Sequence, residues 1–275
     1  MATKKKKPAD KALATRTPAK PKAKAVPKRP AAKRAGRSVA SAGAGALSTR
    51  DVVSLVRETR GVPPALSSAI EKLASTSPSW ERLGPQRITA PCHRPRAPFT
   101  VVVGDLRVSG NLVVATGKHD FGVLIVLGHV HARNVAVAAG WSLVCTGDLH
   151  AEEVIEACAG DSVTYVGGRV GALLLDSGAG AWLTMFGART HLHATHLTGY
   201  VMSAKNQVWK PKAAVDVTDV VVDAALETEE WDSLDAADRV GERRADYVGV
   251  DTDAVLRLLG KGGGVLREAR SGRAG

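Results

Sequence analysis

Aromatic residues and cysteines are scarce in this sequence. Phe, Trp and Tyr make up 4% of its 275 residues, and the cysteines are Cys92, Cys145 and Cys158. Three scattered cysteines cannot build a disulfide framework, and no CxxC pair is present to bind a metal. Neither a secretory signal nor an uncharged apolar run long enough to span a membrane is found. We therefore expect a cytoplasmic protein with ordinary thiols and no transmembrane segment.

Signatures of common catalytic sites are also missing. The chain contains no GxxxxGKS or GxxxxGKT phosphate loop, no GxSxG turn and no GGxGxD calcium repeat. The GKGGG stretch at residues 260–264 follows a helical pattern, whereas a phosphate loop opens a helix. These absences favour a protein that is not an enzyme and needs no cofactor.

The first 46 residues form a basic tail with almost no large apolar side chains. They carry 10 lysines and 4 arginines against the single Asp10, a net charge of +13, whereas the whole chain is at +11. The other 229 residues are therefore close to −2. Such a composition predicts a disordered segment, because it cannot bury enough apolar surface to offset the entropy of ordering.

This tail has the chemistry to bind nucleic acid or another polyanion, since lysines and arginines neutralise phosphates and release counterions. The alternative is a solubilising tail with no specific partner. The residues expected to contact the polyanion are Lys4, Lys5, Lys6, Lys7, Lys20, Lys22, Lys24, Lys28, Arg29, Lys33, Arg34 and Arg37.

Residues 47–100 predict short helices followed by a connector. A Ser48-Thr49 cap precedes the helical pattern DVVSLVRE, and Pro63 precedes PALSSAIEKLAS. Residues 76–100 are rich in Pro and Arg, which is typical of a connecting segment.

From Val101 the sequence changes to Val, Leu and Gly and repeats about every 20 residues. Two glycine marks set the alignment: Gly104, Gly128, Gly147 and Gly168, then Gly117, Gly140, Gly160 and Gly180. Four columns are then apolar, as expected where alternate strand residues point inward. Their members are Leu106, Val130, Leu149, Val170 and Leu192; Val108, Ala132, Ala151, Ala172 and Ala194; Leu112, Val135, Ile155 and Leu175; and Val102, Val126, Cys145 and Met185.

These columns predict that residues 101–205 form an all-β solenoid, a parallel β-helix of about five coils. A β-sandwich is the alternative, because it also has regularly spaced Gly and Val. It does not predict that the same residue type returns at the same place in each repeat.

Residues 206–275 predict a partly helical extension. Its last part, DTDAVLRLLGKG, has Asp251 or Thr252 as a helix cap and Gly260 as a stop. Because a solenoid must cover its end strands, we expect this extension to cap the last coil.

The coils IVLGHVHARNVAVAAG and LVCTGDLHAEEVIEACAG, preceded by basic and Pro-rich residues, resemble those of the bactofilins and related polymer-forming cytoskeletal proteins of bacteria. The resemblance implies a right-handed β-helix that polymerises end to end without nucleotide. Residues 206–275 depart from the short flexible tails of that family, and a folded cap there would block end-to-end stacking.

Histidines are the most noticeable candidates for a binding site. In the alignment, His131, His150 and His193 share one outward column, which Gly171 interrupts. His131 and His150 are expected about 4.8 Å apart on adjacent coils and, with His129, are the candidate metal ligands. We favour a solvated ladder instead, because an exposed strand face lacks the concave, three-ligand geometry of a catalytic metal site.

Carboxylates do not form the acidic groove of a polysaccharide-cleaving β-helix enzyme. Asp105 and Asp148 share a column with His129, Arg169 and His191, and the acids Glu152, Glu153 and Glu156 fall in one coil. The leading hypothesis is a non-enzymatic structural scaffold that can self-associate through its ends or faces and is tethered by its tail. The alternatives are a monomeric interaction or immunity module of a bacterial conflict system and, third, a carbohydrate-active enzyme.

Overall fold

The computed structural model describes residues 45–157, 159–177, 182–211 and 215–267, all within one compact unit, Gly36–Gly275. The basic tail up to residue 44, Cys158 and Gly180 lie outside the described residues. In chain order the strands are β1 (Gly45–Ser48), β2 (Ser79–Leu83), β3 (Gln86–Ile88), β4 (Cys92–His93), β5 (Phe99–Val102), β6 (Leu106–Val108), β7 (Asn111–Val114), β8 (Gly122–Val126), β9 (Val130–Val137), β10 (Trp141–Cys145), β11 (Leu149–Glu156), β12 (Val163–Val166), β13 (Val170–Ser177), β14 (Trp182–Met185), β15 (Leu192–Gly199), β16 (Val201–Ser203), β17 (Val208–Trp209), β18 (Leu226–Glu227) and β19 (Gly249–Val250). The helices are α1 (Thr49–Glu58), α2 (Pro64–Ala74), α3 (Val217–Val220), α4 (Glu229–Ser233) and α5 (Thr252–Gly260).

The strands wind into a parallel β-solenoid of about six coils, which confirms the predicted fold class. One strand of each coil joins a nine-stranded sheet, ordered β1-β2-β5-β8-β10-β12-β14-β16-β17. The remaining coil strands form an eight-stranded sheet in which β15, β13, β11 and β9 are followed by β6 with β7 and then by β3 with β4. Coils 1 to 6 therefore begin at β2, β5, β8, β10, β12 and β14.

The pairing register confirms three of the four interior columns, and in the remaining one it pairs Ala132 with Ala151 and Ala172 with Ala194. Parallel pairing aligns Leu112 with Val135, and Ile155 with both Val135 and Leu175. The column of Val102, Val126, Cys145 and Met185 is completed by Val166, which pairs with Cys145 and Met185. These side chains are almost fully buried in one apolar cluster.

The solenoid begins one coil earlier than the sequence predicts. Residues 79–93, expected to be part of a connector, form β2, β3 and β4, which pair in parallel with β5, β6 and β7. Two interior positions of this coil are polar, because Gln86 pairs with Leu106 and His93 pairs with Leu112. An apolar pattern search therefore overlooks the coil.

Antiparallel strands cover both ends of the nine-stranded sheet. At one end β1 pairs antiparallel with β2, and at the other end β17 pairs antiparallel with β16. All other pairs in this sheet are parallel. The two ends of the sheet are thus closed by short strands that run against the direction of the coils.

A bulge divides the eight-stranded sheet into two faces. The register shifts between Ala151 and Val154, and β6 and β7 are separate strands that both pair with β9. Each coil therefore has three faces: a first face in the nine-stranded sheet, a second before the bulge and a third after it.

Segments from both ends of the described chain cover two of these faces. Helices α1 and α2 pack on the first face, where Val52, Val56, Leu66 and Ile70 share a buried cluster with sheet residues such as Ile125. The C-terminal residues pack along the third face, with Val255, Leu259 and Val265 in the main core cluster. The C-terminal extension therefore covers the third face along the side of the solenoid. It also supplies β17, the strand at the end of the nine-stranded sheet.

Close packing between coils explains why glycine recurs at the first of the two marked positions, that of Gly104, Gly128 and Gly147. A Cβ on Gly147 would lie 2.8 Å from the carbonyl oxygen of Gly128 on the preceding coil, and a Cβ on Gly128 would lie 2.6 Å from the carbonyl of Gly104. Such contacts are too close for any side chain. Successive coils thus stack backbone on backbone at this corner.

Candidate functional site

The second face carries a column of exposed basic side chains, which we call the basic column. Pairing between coils aligns its members across six coils, and they are Arg87, Arg107, His131, His150, Gly171 and His193. The two arginines and three histidines are all exposed, and within the described residues no helix or strand packs over them. The predicted histidine ladder therefore exists, and two arginines extend it.

The rings of His131 and His150 lie against each other. Their centroids are 4.9 Å apart and the ring planes are tilted by 37°. On the next coil, a Cβ on Gly171 would lie 2.8 Å from Nδ1 of His150, so the imidazole leans over the glycine. The rings are thus laid along the solenoid axis, each one reaching toward the following coil.

His129 does not belong to this pair. It stands at the corner before the second face, where its Nδ1 accepts the backbone N–H of Asp148 at 2.9 Å. Asp105 Oδ1 accepts the N–H of His129 at 3.0 Å, and Asp148 Oδ1 accepts the N–H of Arg169 at 2.8 Å. These three side chains form a corner ladder in which each one holds the backbone of the next coil.

The candidate metal ligands are therefore divided between two structural settings. His131 and His150 are neighbours in the basic column, whereas His129 and Asp148 are engaged in the corner ladder. Among the described residues, no group of three or more His, Cys, Asp and Glu side chains is arranged to hold a metal ion. Two imidazoles alone do not make a catalytic metal site.

The acids of coil 4 point to different surroundings. Glu152 is exposed, while Glu153 binds Arg133 at 2.9 Å and accepts an N–H of Asn134 at 3.1 Å. Glu156 is fully buried under the C-terminal extension and accepts the hydroxyl of Thr252 at 3.2 Å. Sequence reasoning did not foresee that Glu156 stacks on buried Asp176 of the next coil, since the sequence does not reveal which outward column is covered.

Two described grooves lie on the C-terminal half of the molecule. A groove of about 680 Å³ runs beside β15 and is lined by Leu192, Ala194 and Leu197 together with Lys210 and Asp219. Another of about 660 Å³ is acidic, with Glu227, Glu229, Asp251 and Asp253 in its lining. The first groove thus combines apolar with charged side chains, whereas the charged side chains that line the second are all acidic.

The cysteines that the structure describes are free thiols in unreactive settings. Cys145 is fully buried, and burial raises the pKa of its thiol to about 12. Burial also raises the pKa of Cys92, although nearby Arg94 acts in the opposite direction. Both thiols are therefore protonated at neutral pH and are poor nucleophiles.

The comparisons with known proteins found no relative. No protein-family model, no curated protein and no solved structure matches the chain. Within the described residues, no helix combines the length and apolar character needed to cross a bilayer. The lysines and arginines assigned to polyanion binding, Lys4 to Arg37, lie outside the described residues.

Proposed function

We propose that this chain is a non-enzymatic binding scaffold of the cytoplasm, which acts as a single end-capped solenoid and is tethered to nucleic acid by its basic tail. The observation that carries the proposal is the antiparallel strand at each end of the nine-stranded sheet. Of the two non-enzymatic hypotheses, it supports the monomeric interaction module over the self-assembling scaffold.

End-to-end polymerisation of a parallel solenoid requires that the last coil of one copy pair in parallel with the first coil of the next. Here β1 and β17 occupy the edges that such pairing would use in the nine-stranded sheet. Short edge strands of this kind are a common protection against edge-to-edge association. This geometry argues against the polymerisation that the bactofilin resemblance implies.

The positions of the acids argue against a carbohydrate-active enzyme. Glycosidases need a pair of carboxyl groups that are free to act as acid, base or nucleophile. Asp105 and Asp148, the acids that share a corner column, each accept a backbone N–H from the next coil. They hold the solenoid together instead of facing a groove.

The tether rests on the charge of the tail, a net +13 over 46 residues against a body close to −2. Counterion release from nucleic acid gives such a segment an affinity that falls steeply with salt. A gel-shift assay at low salt tests it: full-length protein should retain DNA, and the chain without residues 1–44 should lose most of that retention. Equal retention by both proteins would contradict the tether.

Light scattering and negative-stain electron microscopy test the end-capped solenoid. Full-length protein and the chain without residues 1–44 should both have the mass of one chain at low and moderate salt. The chain without residues 1–47 also lacks most of β1 but keeps the helix cap Ser48, and it should associate through the exposed edge of β2. Filaments of the full-length protein would overturn the proposal.

A further inference from the structure

The basic column differs in character from the surfaces beside it. Its coils present Arg87, Arg107, His131, His150 and His193 in one line, and none of these positions holds an acid. Arg87 forms no ion pair with the described residues, and Arg107 meets only the exposed carboxylate of Asp105 at 3.3 Å. At least one guanidinium is therefore free to meet an external anion.

Most of the other acids near the column are already engaged. Glu153 is paired with Arg133, and Asp148 accepts the N–H of Arg169. On the second face of coil 4, Glu152 is exposed and makes no hydrogen bond or ion pair with the described residues. Arginines at one end of the line and histidines at the other thus share a face where little negative charge opposes an anionic ligand.

The dimensions fit an extended ligand. Five steps of about 4.8 Å give the column a length of about 24 Å along the solenoid axis. The guanidinium groups provide forked donors that suit phosphate, and the exposed imidazole rings provide flat surfaces on which bases can stack. Aromatic surfaces combined with positive charge are the usual means of binding single strands without sequence preference.

We propose that the basic column binds single-stranded nucleic acid, with Arg87 and Arg107 on phosphates and His131 and His150 stacking on bases. This inference rests on the proposed tether, because the tail would deliver the same ligand that the column then holds. A duplex is a poorer fit, since its bases are stacked inside at about 3.4 Å, whereas a single strand can extend to the spacing of the coils.

Fluorescence anisotropy with labelled oligodeoxythymidine and the full-length protein separates the two kinds of contact. Affinity falls as salt rises, and replacing both arginines, Arg87→Gln with Arg107→Gln, should make this fall less steep. The magnitude of the slope of log affinity against log salt should decrease by about 1.4, or ~0.7 for each lost phosphate contact. Replacing both rings, His131→Ala with His150→Ala, should weaken binding about thirtyfold or more at pH 7.5 and leave that slope unchanged.

Matched variants control for total charge and for histidine content. Arg50→Gln with Arg60→Gln removes two exposed arginines from α1 and from the turn that follows it, and His119→Ala removes an exposed histidine from a loop. Both controls should bind like the unaltered protein. Inorganic polyphosphate has charge but no bases. Its affinity for the protein should therefore be weaker in the arginine variant and unchanged in the histidine variant.

The outcomes separate this inference from the tether. If the full-length protein binds the oligonucleotide and both column variants match it, the column is not a contact and only the tether survives. If the full-length protein does not bind, both ideas are wrong. An equal loss in the Arg50 and Arg60 control, or binding only to phosphatidylserine vesicles, would also overturn the column as a nucleic-acid site.

Discussion

The imidazole of His129 accepts the backbone N–H of Asp148 on the next coil, so a titratable ring performs a task that carboxylates perform on the neighbouring coils. We expect His129→Ala to lower the free energy of unfolding by about 1 kcal/mol, because the amide of Asp148 loses its acceptor. His129→Asn should retain most of the stability, since Oδ1 of asparagine can replace Nδ1. Urea denaturation at pH 7 measures both, and equal losses in the two variants would show that the hydrogen bond contributes nothing.

Asn111 joins the solenoid to the end of α5. Its side-chain amide donates to the carbonyl oxygens of Leu259 at 3.0 Å and Gly263 at 2.8 Å, and its Oδ1 accepts from Asn134 at 2.9 Å. Asn111→Ala would remove these three hydrogen bonds and should cost about 2–3 kcal/mol. Hydrogen exchange should accelerate first in residues 252–266.

The control for this prediction is Ser109→Ala, an exposed neighbour on the same coil. It should change neither the unfolding free energy nor the exchange of the helix. Unchanged protection of residues 252–266 in Asn111→Ala would show that apolar packing alone holds α5 in place.

Ile155 lies fully buried between Val135 and Leu175 of the adjacent coils. Ile155→Asp would bury a carboxylate without a partner and should unfold the solenoid, since the cost of several kcal/mol is comparable with the stability of a whole domain. Leu173→Asp adds the same group at an outward position that is 47% exposed, and it should stay folded. Circular dichroism distinguishes the two, and a folded Ile155→Asp protein would mean that the column is misassigned.

His93 makes stability depend on pH at the first coil. Burial, with a smaller contribution from Arg96, lowers its pKa to about 4. The unfolded chain titrates near the ordinary value of ~6.5, so the unfolded state takes up the proton first as the pH falls. The contribution of His93 to the free energy of unfolding is therefore complete above about pH 6.5 and is lost as the pH falls towards 4. The loss amounts to about 2 kcal/mol after allowance for the partial exposure of the ring.

His93→Gln tests this contribution, because glutamine does not titrate. Its loss of stability between pH 7 and about pH 4.5 should be smaller than that of the unaltered protein. His119→Gln, at an exposed loop position, should follow the unaltered protein. Parallel curves for His93→Gln and the unaltered protein would contradict the assignment.

The histidine pair should be structurally neutral. His131→Ala with His150→Ala should shift the melting temperature little at pH 7, because both rings are exposed and no third ligand accompanies them in the described part of the chain. Added zinc should not raise the melting temperature of the unaltered protein. A zinc-dependent rise that disappears in the double variant would restore the metal-site hypothesis.

The sequence predicted the parts of the fold that repeat. Interior positions such as Val135 and Ile155 recur because each coil fills the same space, and outward positions such as His131 and His150 follow from the same alignment. Coil 1 was not predicted, because Gln86 and His93 replace apolar residues where the interior meets the end of the solenoid.

Which faces are covered could not be predicted either. An outward Val or Glu has the same sequence pattern whether a helix packs on it or water does, and only the folded chain shows that Glu156 is buried while Glu152 is not. The arginines of the basic column were missed for a different reason, which is their position before the predicted histidine ladder. Arg87 lies in the coil that the alignment left out, and Arg107 precedes the first histidine of the ladder.

The path of α5 bears on how the molecule unfolds. Repeat proteins with contacts only between neighbouring coils can lose their ends while the middle stays folded. Here α5 meets Glu156 of coil 4 through Thr252 and Asn111 of coil 2 through Leu259, and the turn that follows it packs Gly262 against Pro91 of coil 1. Coils that are distant along the axis are thus tied together, and unfolding should be one cooperative transition instead of fraying from either end.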